Sequence, residues 1–360
     1  MKVLMTLDAV GGVWQHALDL AQELGERGVS VVLAGLGPPP DAVRIAQAQE
    51  IAALEWGDAT LDWLASGPDD LAPVAPWLES LARRHGADLL HLNLPTQAVG
   101  LSPDLPVLAM SHSCPGTWFA AVRGTGLPDD MAWMHDLTER GLRAARLVVA
   151  PSHAHAAALT RLYGPLPHLA VVPNSSRARP APGPRRNSVI AVGRWWDDGK
   201  NGATLDAAAA LSDWPVTMIG ALTGPNGAHL ALRHARHAGV LDHAQTLRAV
   251  GRAGIFCAPS RYEPFGLAVL EAARAGLPLV LSDIPTFREL WDGAAQFFDP
   301  DDPAALADAL NALARDIARR ARLGDRAQAR AARLGPGAQA ESMLTLYRWL
   351  APAPAASTTG

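Results

Sequence analysis

Two glutamates eight positions apart, Glu263 and Glu271, stand in the segment SRYEPFGLAVLEAARAGLPLVLSD at residues 260–283. A short apolar strand at 254–258 leads into a turn containing Pro259 and Pro264. Gly266 then opens a helix, which ends at Gly276 with Pro278 beyond it. Glu263 falls in the turn ahead of the helix, and Glu271 falls about a turn and a half inside it. A ligand docked at this helix N-terminus would be flanked by both carboxylates. The N–H groups of Phe265, Gly266 and Leu267 would face its phosphate, because a first helical turn has unspent donors and the dipole favours an anion there. Glu271 would then accept hydrogen bonds from ribose hydroxyls. The plainer reading makes Glu271 a surface residue and Glu263 a partner of the helix dipole; the segment as a whole argues for the ligand.

A second cluster is VGRWWDDGKN at residues 192–201. It leaves the carboxyl end of a predicted strand, where open α/β sheets place their ligands. Arg194 and Lys200 suit a diphosphate, Arg through its planar fork and Lys as a mobile point charge. The chain has 29 Arg but only two Lys, Lys2 and Lys200, so an internal Lys200 stands out in a sequence that uses Arg almost throughout. The alternative is a solvated loop with two surface cations. Trp195 and Trp196 either line a cleft wall or pack against a neighbouring helix. A third feature, Gly11-Gly12, sits between a strand and a helix, where bare backbone amides approach an anion or simply make the turn. It is not GxGxxG, and no acidic residue is placed to read a dinucleotide ribose.

These residues require a scaffold of short buried strands with helices between them. Apolar runs at 3–7, 29–33, 88–92, 107–110, 147–150 and 169–172 read as strands of one parallel sheet, with a helix after Gly12 that ends at Gly28. Residues 174–188 carry Pro, Arg and Ser without periodicity and read as a linker. The pattern restarts with strands at 189–192, 216–219, 254–258 and 279–281, and with helices expected at 202–211, 227–238, 244–252, 266–275 and 303–320. The predicted fold is α/β, with two doubly wound Rossmann-like domains. Domain one covers 1–174, the linker 175–187, domain two 188–337, a final helix 338–350, and a disordered tail 351–360.

With these motifs in place, the chain resembles the retaining GT-B glycosyltransferases of the family-four group. EPFGLAVLEA is similar to that family's E-x7-E segment, VGRWWDDGKN to its diphosphate loop, Gly11-Gly12 to its N-terminal glycine loop, and VPN at 172–174 to the segment closing its first domain. The matches fall in order along nearly the whole chain. The resemblance implies two domains facing a central cleft, with the final helix crossing back to the first. It also implies a nucleotide diphosphate sugar donor bound mainly by domain two. Arg194 and Lys200 would neutralise the leaving diphosphate and Glu271 would hold the ribose. Glu263, with the amides of Phe265, Gly266 and Leu267, would hold the sugar. A His at the end of a first-domain strand would contact the sugar near the reacting carbon; His112, in LAMSHSC, fits, with capping of the following turn as the alternative. His91 and His153 are read as structural.

The expected reaction is hexosyl transfer (EC 2.4) to an acceptor hydroxyl of a sugar, glycan or small molecule. Catalysis would rest on stabilising charge on the departing phosphate. No convincing carboxylate nucleophile is visible; attack on the face the phosphate leaves, with that phosphate taking the acceptor's proton, is implied by the resemblance alone. The Asp-Asp pairs at 69–70, 129–130, 197–198 and 301–302 do not end apolar strands as a metal-binding Asp-x-Asp would, so neither a metal nor another cofactor is expected. The alternatives are a sugar-nucleotide epimerase, a phosphorylase, or a nucleotide-sugar-binding protein that has lost catalysis. Nothing resembles a pyridoxal-phosphate lysine site, which weakens the phosphorylase reading.

Charge narrows the partners. Residues 1–175 hold 10 basic and 18 acidic side chains, net −8, while residues 176–360 carry net +4, within a total of −4. The acidic half disfavours nucleic acid and anionic lipid. Only Cys114 and Cys257 occur, with no CxxC, and the sequence shows neither a signal peptide nor a long apolar span, so a cytoplasmic protein is expected.

Overall fold

In the computed structural model, which describes residues 1–166, 168–178 and 183–351, the first strand, β1 (Lys2–Asp8), is buried from its second residue onward. A strand apolar on both faces belongs at the centre of a parallel sheet covered by helices. It is flanked on one side by β2 (Ser30–Leu36) and β3 (Ala53–Trp56), and on the other by β4 (Leu89–Leu92), β5 (Val107–Met110), β6 (Leu147–Ala150) and β7 (Leu169–Val171). The order is β3-β2-β1-β4-β5-β6-β7, and every pairing is parallel. The connecting helices are α1 (Gly12–Gly25), α2 (Ala42–Ile51), α3 (Val74–His85), α4 (Pro115–Val122), α5 (Ala132–Ala144) and α6 (His153–Tyr163).

The second sheet repeats this plan. Its strands are β8 (Val189–Val192), β9 (Val216–Ile219), β10 (Arg236–His237), β11 (Ile255–Ala258), β12 (Leu279–Ser282) and β13 (Ala295–Phe298), in the order β10-β9-β8-β11-β12-β13, all parallel. Its helices are α7 (Gly202–Ala209), α8 (His243–Arg252), α9 (Leu267–Arg274), α10 (Pro285–Trp291), α11 (Pro303–Arg315) and α12 (Ile317–Ala331). In each sheet the winding reverses beside its first strand, between β1 and β4 and between β8 and β11. The carboxyl ends of those strands are where such sheets form ligand crevices.

The chain divides into two compact units: residues 1–119, 125–175 and 336–360, and residues 120–124 with 176–335. The last described helix, α13 (Pro336–Leu350), belongs to the first unit. It buries Ala340, Met343, Leu344, Tyr347 and Leu350 in the cluster that holds Trp14, Ala17 and Leu18 of α1. Residues 172–178 take no regular secondary structure. The part of the expected tail from Pro352 onward lies outside the described residues.

Two expected helices are corrected. Residues 227–238 form no helix; they carry the single pairing Thr223–His229 and then β10. The Asp206 carboxylate accepts from the amides of Arg233 (2.9 Å), His234 (3.0 Å) and Ala235 (2.8 Å), so those donors serve a side chain instead of a helical ladder. The single helix expected at 303–320 is two, broken at Asp316, whose backbone is extended and whose side chain caps α12 through the Arg319 amide at 2.8 Å. A side-chain oxygen that can satisfy a first-turn donor makes Asp a good place to restart a helix.

Candidate active site

In the second unit, two strand-exit loops meet at the reversal point. The β8 exit runs through Arg194 to Lys200, and the β11 exit through Glu263 to Gly266. Backbone bonds join them: the Gly199 carbonyl accepts from the amides of Arg261 (2.9 Å) and Tyr262 (3.3 Å). Asn201 adopts the left-handed conformation, φ 57°, and its Nδ2 donates to the carbonyls of Pro259 (3.0 Å) and Pro300 (2.8 Å). With the loops fixed in this way, Lys200 Nζ reaches Glu263 Oε2 at 2.5 Å. Both side chains are about one-fifth exposed, 20% and 18%. Glu263 Oε1 accepts no hydrogen bond among the described residues, so one oxygen of the pair stays open.

Arg194 sits on the same exit loop, half-exposed, 3.6 Å from Asp197 Oδ2 and over the Trp196 ring at 5.6 Å from its centroid. Trp195 does not line a cleft. It is buried in the sheet's core, and its Nε1 donates to the Ile219 carbonyl at 2.9 Å.

Helix α9 starts on Gly266, φ 93°. Helices α2, α6, α8, α11 and α12 start on Asp or Ser side chains that occupy their own first-turn amides. A glycine cap brings no such group, so the first-turn amides of α9 remain available to an external acceptor. Phe265, just before the cap, is buried in the core beneath it. One turn into α9, the buried Glu271 carboxylate accepts from His243 Nε2 at 2.8 Å and from Ser176 Oγ at 3.4 Å.

The first unit carries its polar groups on the same plan. Helix α1 starts on Gly11, again without a side-chain cap. Asp8 accepts from the Val10 amide at 2.9 Å, and Arg44 holds the Ala9 carbonyl at 3.0 Å, bracing the turn through Gly11-Gly12. His112 follows β5 and meets Asn93, which follows β4, with Nε2 to Oδ1 at 2.8 Å. His16 packs its ring edge against His112, with 4.6 Å between centroids. Burial, reinforced by the neighbouring imidazoles of His16, His91 and His155, holds the His112 pKa well below its ordinary 6.5. Burial also lowers His16 and His155 to about 4 and His91 to about 3, because an imidazolium loses its hydration there. The ring is therefore neutral at physiological pH.

Two families describe this arrangement along the chain. Residues 10–175 match Glycosyltransferase Family 4, and residues 212–330 match Glycosyl transferases group 1. The chain belongs to the GT-B glycosyltransferases of the family-four type. It is similar to a phosphatidyl-myo-inositol mannosyltransferase of Mycobacterium leprae, 28% identical over 354 residues that cover 88% of this chain and 87% of that one. It is also similar to a glycogen synthase of Mycobacterium tuberculosis, 27% identical over 369 residues, 87% and 85% of the two chains. Among solved structures, the sucrose-phosphate synthase of Thermosynechococcus elongatus shares the fold with a TM-score of 0.79 at 18% identity, covering 97% of this chain and 99% of that one. HepE of Anabaena, in complex with UDP-glucose, gives a TM-score of 0.76 at 17% identity over 97% and 100%.

In this glycosyltransferase, the residues expected from sequence fall into separate groups. Lys200 and Glu263 are in direct contact, Arg194 shares their loop system, and Phe265, Gly266, Leu267 and Glu271 follow along one helix start. Gly11, Gly12 and His112 lie in the first unit. His91, read as structural, is buried and bonded to the Tyr347 hydroxyl at 2.6 Å. Sequence reasoning missed His16, Asn93 and His243. Asn93 had a usable signal: it is a polar residue at the exit of a buried strand, the same signal that marked His112. His16 is a histidine on the buried face of an amphipathic helix. His243 carries no local signal, since only tertiary packing brings α8 to Glu271. Among the described residues, no group of three or more His, Cys, Asp or Glu is placed to hold a metal ion, and no helix is long and apolar enough to cross a membrane.

Proposed function

We propose that this glycosyltransferase takes its sugar from a nucleotide diphosphate sugar and transfers it to an acceptor hydroxyl with retention of anomeric configuration. The observation that carries the reading is the Lys200–Glu263 pair beside the Gly266-capped start of α9: an oriented ammonium, an open carboxylate oxygen and unspent helix amides lie together at the exits of β8 and β11. In this reading the diphosphate lies on Arg194, Lys200 and the amides of Phe265, Gly266 and Leu267. Glu263 accepts from the sugar, and Glu271 from the ribose. The glycine-capped turn at Gly11-Gly12 offers further amides to the donor, and His112 contacts the sugar near its anomeric carbon.

The bond from that carbon to the diphosphate oxygen breaks as the acceptor oxygen bonds to the carbon, and the departing phosphate takes the acceptor's proton. Charge building on the phosphate is met by cations and amides already fixed in place, and stabilisation of this kind usually supplies more of the rate enhancement than any other effect. Since these groups supply positive charge themselves, the reaction is proposed to need neither a metal nor another cofactor. HepE, with a similar fold, is known in complex with UDP-glucose, which supports a sugar nucleotide here. The named relatives are transferases and synthases and do not favour an epimerase or a binding-only protein.

The test is calorimetric titration with UDP, GDP and ADP, then with the matching sugar nucleotides, with and without magnesium and EDTA. Saturable binding of one nucleotide, followed by transfer whose product keeps the donor's anomeric configuration by proton NMR, supports the reading. Inverted product, or transfer abolished by EDTA, overturns retention or metal independence respectively.

A further inference from the structure

Asn93 is buried at the exit of β4, and both its backbone N–H and its side-chain amide nitrogen bond to Thr6. Its backbone N–H donates to Thr6 Oγ1 at 2.8 Å, and its Nδ2 donates to the Thr6 carbonyl at 2.5 Å. Thr6 is itself fixed, its hydroxyl donating to Gln97 Oε1 at 2.7 Å. A carbonyl only accepts, so the Asn93 –NH₂ must face Thr6 and Oδ1 must face His112. Oδ1 in turn only accepts, so the contact with His112 Nε2 at 2.8 Å requires a hydrogen on that nitrogen. His112 Nδ1 makes no hydrogen bond among the described residues.

We propose that Asn93 is a positioning residue that holds His112 in the Nε2–H tautomer and leaves Nδ1, with its lone pair, as the hydrogen-bond acceptor for a hydroxyl of the bound sugar. The chain of support runs from Gln97 through Thr6 and Asn93 to His112, and it joins the exits of β1, β4 and β5 within one unit. The titratable groups facing His112 are His16 from α1, His91 from β4 and His155 from α6. Burial of His112 is the main opposition to a positive charge on it, with these three neighbours secondary, and this leaves Nδ1 unprotonated. His16 adds a constraint of shape: its ring edge closes one side of His112, and neither of its own nitrogens has a hydrogen-bond partner among the described residues. Asn in place of a carboxylate matters here. An Asp at this position would hold the same tautomer but would raise the His112 pKa and turn the acceptor into a donor as pH falls.

The sugar-contacting role of His112 rests on the function proposed above; the tautomer does not. The experiment is long-range proton–nitrogen correlation NMR on ligand-free protein labelled with ¹⁵N-histidine, with His112 assigned by its loss in His112→Gln. The expected result is a protonated-type Nε2 and an unprotonated-type Nδ1 in the wild type, unchanged on acidification well below the ordinary histidine range. Asn93→Asp should keep the tautomer and raise the His112 pKa by about one unit or more, as an adjacent carboxylate does. Asn93→Ala should release it to a mixture of tautomers. An Nδ1–H tautomer in the wild type overturns the proposal without any variant. So does an unmoved His112 pKa in folded Asn93→Asp. No turnover by wild type of UDP-, GDP- or ADP-glucose would count against the sugar-contacting role of His112 and leave the tautomer result standing.

Discussion

Lys200 Nζ and Glu263 Oε2 lie 2.5 Å apart across 63 residues of chain. The contact exists because two strand-exit loops are joined by backbone hydrogen bonds to Gly199 and by Asn201. The pair spends one of three ammonium hydrogens and one of two carboxylate oxygens. What remains is a cation and an acceptor held in fixed relation. Removing Lys200 should cost the reaction more than it costs the fold. Lys200→Ala is expected to lower kcat about 10²–10³-fold, the scale for losing one group aimed at developing charge. Lys200→Arg should restore little, because a planar fork does not replace a compact ammonium. Steady-state kinetics beside thermal melting separates the two effects; an equal loss in both variants without loss of stability is the predicted pattern.

Glu271 is buried, and its Oε1 accepts from His243 and Ser176. Glu271→Ala should weaken nucleotide binding about 10–100-fold, the range for losing hydrogen bonds to a charged group. Titration with the nucleotide the protein selects measures this, and unchanged affinity would remove Glu271 from the ribose role.

Gly266 combines φ 93° with close neighbours: a Cβ there would lie 3.2 Å from Phe287 and 3.3 Å from Val269. Gly266→Ala is expected to destabilise the fold by about 1–3 kcal/mol, since the left-handed conformation is strained for any residue with a Cβ. Equilibrium urea unfolding reads the loss directly, and an unchanged midpoint would show that the turn relaxes at no cost.

The buried imidazoles predict the sign of the acid response. His16 and His155 fall to about 4 and His91 to about 3 in the folded protein, from an ordinary 6.5. Below pH 6.5 the unfolded chain takes up protons that the folded chain refuses, so stability is lost as pH drops from 6.5 towards those lower values. His16→Leu removes one of these groups together with two buried ring nitrogens that bond to none of the described residues. Relative to wild type, it should gain about 2 kcal/mol more at about pH 5 than at neutral pH. Denaturation at several pH values tests this; parallel curves for the two proteins would mean that His16 binds its proton equally well folded and unfolded.

Much of the second sheet was legible because its signals are local. Residues 189–192 and 216–219 form β8 and β9 within the bounds read from their apolar runs, and Gly266 and Pro278 bracket α9. The helix expected at 227–238 failed for a non-local reason: Asp206, more than twenty residues away in the chain, takes the amides that a helix would need. Trp195 and Trp196 could not be separated by sequence, since adjacent aromatics of equal hydrophobicity are sorted only by which one finds the Ile219 carbonyl and the core.

The sequence by itself determined the repeated α/β plan, because strand and helix periodicities and glycine breaks are properties of short windows. It also marked the residues whose chemistry suits an anionic sugar donor, because glycine caps, isolated cations and carboxylates at strand exits announce themselves by type and position. Tertiary structure alone decided the partnerships: Lys200 with Glu263, Glu271 with His243, and His112 with Asn93 and His16. Hydrogen bonds of 2.5–2.8 Å make three of these contacts, Lys200–Glu263, His243–Glu271 and His112–Asn93, and ring packing makes the fourth, His16 on His112; all depend on sheet order and loop packing that no short window of sequence encodes.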